Sequence, residues 1–73
     1  MKTSEIETGR TYVNRGAGRT TRTVIAIGDE HRPQWFGSDQ PPDCPGVLYE
    51  SNKGRRRKLY LTSFAAWAGR VAD

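Results

Sequence analysis

The chain has 73 residues, 34% of them apolar and 27% charged, with twelve Lys plus Arg against eight Asp plus Glu and a formal net charge of +4. A single small domain of this size retains only ~3–5 kcal/mol of net stability, so a buried enzyme pocket of roughly 300–1,000 Å³ is not expected, and ligand surfaces are expected instead. No stretch approaches ~18 consecutive apolar residues, so no membrane span is expected, and the one Cys and one His of the chain cannot form an internal disulfide or a four-ligand zinc site.

The start, Met1 to Glu7, is polar and acidic where a signal peptide needs a basic head and an apolar core. With the lone Cys44 it predicts a protein of the reducing cytoplasm. Residues 9–28 read as a first hairpin. Arg10 to Asn14 and Arg19 to Ile27 are its strands, rich in Thr, Val, Ile and Tyr, and Gly16-Ala17-Gly18 is its turn. The second strand is polar over Thr21-Arg22-Thr23 and apolar over Val24-Ile25-Ala26-Ile27, which predicts a central strand with one wet end and one end buried on both faces.

Residues 28–45 form a long loop that carries all four prolines, Pro33, Pro41, Pro42 and Pro45, and no regular element is expected in it. Loops of that length tend to bind or to be disordered, and Trp35-Phe36 argues for partial packing. A second hairpin follows over 46–61. Gly46 to Ser51 and Arg55 to Leu61 are its strands, with Asn52-Lys53-Gly54 as a turn whose glycine accepts positive φ. Over 62–71, Phe64, Trp67, Ala68 and Val71 fall at i, i+3, i+4 and i+7 and predict a short helix capped by Thr62 or Ser63, with Trp67 in the core.

Two hairpins, a long loop and a terminal helix describe a single small domain of mainly β class: a bent antiparallel sheet or a partly open barrel with a short C-terminal helix. The layout is similar to an SH3-like barrel, without the further strand that such barrels carry after their helix. On this reading, the open edge is filled by Thr3 to Glu7 or pairs with a second copy, giving a monomer or a weak homodimer. At Gly9, Tyr12 and Arg15, at Arg22 with Val24 and Ile27, at Val47 and Tyr49, and at Phe64-Ala65-Ala66-Trp67-Ala68, the sequence resembles short uncharacterised proteins of tailed phages and prophages. The resemblance implies a fold and a genomic neighbourhood, and it carries across no catalytic residue.

Arg55-Arg56-Arg57-Lys58 is the main chemical feature. Four adjacent cations repel one another unless solvent or an anion screens them. On a strand, Arg55 and Arg57 face one way and Arg56 and Lys58 the other. Arg19, Arg22, Arg10 and Arg15 on the first hairpin are expected to join them, and Tyr60 is expected to stack on bases, with Tyr12 and Tyr49 interleaved. Nine of the twelve cations are arginine, the side chain that forks onto phosphate oxygens. The expected function is therefore a non-enzymatic module that contacts nucleic-acid phosphates with little sequence preference. The plainer alternative is a solvated hairpin tip that guards an edge strand.

A second functional reading is a protein-interaction accessory that binds a host or virion protein through Trp35 and Phe36, against the alternative that the two rings fold back as a lid over the sheet end. Gly16 to Thr21 precedes a strand where a phosphate loop needs a helix, and reads as a turn. Cys44 sits between Asp43 and Pro45 with His31 thirteen positions upstream; both are expected to be plain loop residues. Asp29-Glu30 and Asp39/Asp43 lack any spacing that fixes a common target, so no cofactor, metal or catalytic residue is expected.

Overall fold

The computed structural model describes residues 1–72. Five antiparallel strands form one sheet: β1 (Thr11–Asn14), β2 (Thr21–Gly28), β3 (Gly46–Ser51), β4 (Arg56–Tyr60) and β5 (Ala68–Val71). Their order is β4-β3-β2-β1-β5, so β2 is central, β4 and β5 are the edges, and the sheet does not close on itself. A single helix, α1 (Leu61–Trp67), lies between β4 and β5. Both hairpin turns use glycine where the backbone needs positive φ: Gly16 and Gly18 after β1, and Gly54 (φ 78°) after β3.

Register sorts the side chains onto two faces. Val24 pairs with Tyr49 and Tyr49 with Arg57, while Val47 lies between Ile27 and Leu59. This inner face carries the core, in which Tyr12, Val24, Val47, Tyr49, Phe64, Ala65, Ala68 and Ile6 are buried together. Phe64 is fully buried and meets Tyr12, Tyr49 and Trp67 at ring separations of 5.7, 5.6 and 5.4 Å. Such tilted and edge-on pairs add to the area term of burying large rings. Of the apolar half of β2, Val24 is buried and Ile25, Ala26 and Ile27 are half-buried, because the register shifts between Val24 and Ala26 and the bulge turns Ile25 out of the ladder.

The C-terminal segment differs from the expected helix over 62–71. α1 stops at Trp67, and Ala68–Val71 pairs with β1, Tyr12 opposite Val71 and Val13 opposite Arg70. The same apolar spacing serves both elements: Phe64 reaches the core from the middle of the helix and Ala68 from the start of the strand. An edge of β1 with unpaired amides outweighs the local helical pattern. Gly69 permits the approach, since a Cβ there would stand 2.8 Å from the Arg15 Cα. The further strand after the helix, expected to be lacking, is present as β5, and it takes the place beside β1 expected for Thr3 to Glu7.

Three smaller expectations are corrected. Thr3–Glu5 is a 3₁₀ turn instead of a strand; the Tyr12 hydroxyl donates to the Glu5 carbonyl and accepts from the Glu7 amide, both at 2.8 Å, which holds Ile6 on the core. The helix begins after Tyr60, with no side-chain cap from Thr62 or Ser63; the Leu61 amide instead donates to the Pro45 carbonyl at 2.9 Å. Trp67 is half-buried at the rim of the core, and Phe64 takes the central place assigned to it.

The loop also contains one regular element, a 3₁₀ turn at Asp29–His31. It packs on Gly46, where any Cβ would overlap the His31 carbonyl. The rest of the loop folds over the outer face at the end of β4. There the Tyr60 hydroxyl donates to the Pro33 carbonyl at 3.0 Å, and Trp35 meets the Tyr60 ring edge-on at 5.8 Å.

Candidate nucleic-acid interface

The cations of the second hairpin divide as strand alternation requires. Arg57, opposite Tyr49, shares the inner face with Arg22, which lies two residues before Val24 on β2. Arg55 pairs through its carbonyl with the Ser51 amide at 2.8 Å, and Ser51 lies opposite Arg22. These three arginines therefore stand beside the core on one face, at the wet end of the sheet. Arg56 and Lys58 stand on the outer face opposite Glu50 and Leu48.

Arg22 is the best-positioned of them. Its guanidinium lies 4.7 Å from the Tyr49 ring centre and 4.2 Å from that of Trp67. Stacking on two rings fixes the plane of the fork while leaving its edge N–H groups to donate. Arg57 and Arg55 are exposed, and among the described residues no carboxylate lies within 4.0 Å of Arg22, Arg55, Arg57 or Lys58. Arg56 differs: its Nε lies 3.4 Å from Glu50 Oε1, so its charge is partly answered within the molecule. Arg10 is likewise paired, with Glu7 at 2.8 Å.

Arg19 is not brought to this cluster. It follows the β1–β2 turn and lines a cleft on the outer face with Thr21 and Arg70. Tyr60, expected as a stacking side chain, is buried under Trp35 and Pro33, with the Arg32 guanidinium 5.5 Å over its ring. The reason is non-local: residues 33–35 return across β4 and cover it. No base can reach that ring without displacing the loop.

The two loop aromatics separate. Trp35 folds back, its indole N–H donating to the Asp39 carbonyl at 2.7 Å. Phe36 points outward and is 86% exposed. Cys44 Sγ lies 3.7 Å from the Thr62 hydroxyl. Among the described residues no three His, Cys, Asp or Glu side chains converge as a metal site requires, and no helix is long and apolar enough to cross a membrane.

Reading the sequence alone missed Trp67 as the platform under Arg22, and Arg70 as part of any site. The available signal for the first was a Trp and an Arg, each at the edge of an apolar element. For the second, nothing local distinguishes Arg70 from a helix-surface residue until β5 is known to be a strand. Comparisons with protein-family models, curated proteins and solved structures find no match.

Proposed function

We propose that this chain is a non-enzymatic binding module that holds nucleic-acid phosphates on the face carrying Arg22, Arg55 and Arg57. The observation that carries the reading is Arg22 stacked on Tyr49 and Trp67 next to two exposed arginines, with no carboxylate of the described residues within 4.0 Å of the three. A guanidinium held in plane donates to phosphate oxygens at a smaller entropic cost than a free one. With Tyr60 covered, base stacking is not part of the interface, and the contacts are to the backbone. In this reading the module is a cytoplasmic protein of the small SH3-like type found in phages and prophages, and its sequence preference is weak.

The test is a salt titration. Fluorescence anisotropy of labelled double- and single-stranded oligonucleotides, followed from ~50 to ~200 mM salt, is expected to show log affinity falling linearly with log salt, with a slope near −3 for three phosphates neutralised on a duplex. Affinity that ignores salt, or no binding at ~50 mM, overturns the reading.

Phe36 supports a second reading, in which the loop anchors a host or phage protein. The Trp35–Asp39 hydrogen bond fixes a turn that presents the Phe36 ring to solvent, and large exposed rings on ordered turns serve as interface anchors. In capture experiments from a host lysate, Phe36→Ala is expected to remove any bound partner while Arg57→Ala retains it. Equal capture by the two variants rejects the loop as the contact.

A further inference from the structure

We propose that the outer-face cleft between the β1–β2 turn and β5 is a phosphoryl-binding site, separate from the arginine face described above. One register row crosses three strands here: Thr21 on β2, Val13 on β1 and Arg70 on β5. Arg19, two residues ahead of Thr21, completes the wall of a cleft of about 300 Å³. Val13 is buried, with 7% of its surface exposed, and forms an apolar floor.

The chemistry of the lining selects an anion. Arg19, Thr21 and Arg70 line one concavity, and among the described residues no carboxylate lies within 4.0 Å of either guanidinium. Like charges held at one cleft are relieved by an anion between them. A tetrahedral phosphoryl group presents three oxygens in diverging directions, so it can accept from both strands and the turn at once. An apolar floor strengthens those bonds by excluding water from one side.

The site is held in shape before any ligand arrives. The Asn14 side chain clamps the turn that carries Arg19, donating to the Ala17 carbonyl at 3.0 Å and accepting from the Thr20 amide at 3.1 Å. On the other side the close approach of Gly69 to Asn14 and Arg15 fixes the strand that carries Arg70. With the backbone beneath them fixed, only the Arg19 and Arg70 side chains themselves have to order on binding. Val13 and Arg70 face away from Tyr12 and Arg22, so this site and the nucleic-acid face succeed or fail independently.

Inorganic phosphate is the first probe, titrated against chloride at matched ionic strength and followed by NMR at the amides of Val13, Thr21 and Arg70 and at the Arg19 and Arg70 side-chain N–H groups. Saturable shifts confined to these groups are expected, with a dissociation constant of roughly millimolar or tighter. Arg19→Ala and Arg70→Ala are each expected to weaken binding about tenfold, and Arg57→Ala to leave it unchanged. Shifts that never saturate, or that persist in the Arg19→Ala, Arg70→Ala double variant, overturn the proposal. Two further arms, a 5′-phosphorylated and a 5′-hydroxyl oligonucleotide, identify the source. Preference for the phosphorylated end supports the site as a reader of nucleic-acid termini, and indifference together with saturable inorganic phosphate supports it as a site for free phosphate.

Discussion

Gly46→Ala is expected to unfold much of the protein at room temperature, visible as loss of the cooperative thermal transition or a midpoint lowered by well over ten degrees. Gly46 is buried at the start of β3, and the Cβ of any other residue would overlap the His31 carbonyl and the Arg32 amide. Those are backbone atoms of the 3₁₀ turn Asp29–His31 and its C-cap, so they cannot rotate away as a side chain can. Overpacking of this kind costs about 1–3 kcal/mol and sometimes more. A domain holding only ~3–5 kcal/mol in total has little left after that. Gly28 supplies the control. A Cβ there would meet the Glu30 carboxylate, which is exposed and free to swing aside, and the Gly28 backbone at φ 172° suits any residue. Gly28→Ala is therefore expected to shift stability by less than about 0.5 kcal/mol. If Gly46→Ala melts like the parent, the packing of the 28–45 loop on β3 is wrong.

Removing Arg55 and Arg57 together is expected to weaken oligonucleotide binding about a hundredfold at low salt and to reduce the salt slope by about two, since each charge-assisted phosphate bond contributes roughly 1.5 kcal/mol or more and releases one counterion. Arg22→Lys separates charge from geometry. It keeps the cation but loses the planar stack on Tyr49 and Trp67, so affinity is expected to fall several-fold with the slope unchanged. Arg56→Ala, whose guanidinium already answers Glu50 on the opposite face, is expected to change binding less than twofold. An Arg56 effect as large as that of Arg57 would mean that total charge, and not the inner face, does the binding.

Local chemistry made the strands legible. Alternation and glycine turns place β1 to β4 within one or two residues of where they form, because each turn position needs a conformation that few residues adopt. The C-terminal segment was not legible for the opposite reason. Phe64, Trp67, Ala68 and Val71 satisfy the helical period, but the last of them answer the unpaired edge of β1, a partner more than fifty residues away in sequence. The candidate site shows the same division. Which face Arg55, Arg56, Arg57 and Lys58 take follows from alternation. That Tyr60 is covered and Arg19 sits with Arg70 depends on where the long loop and β5 land.

No residue separates α1 from β5: the helix ends at Trp67 and the strand begins at Ala68. With Phe64 at the centre of the core and Ala68 beside it, peeling the strand from the sheet margin must tug the helix from its seat. The α1–β5 segment therefore has no slack to open alone, and partial unravelling there gives way to a single all-or-none event.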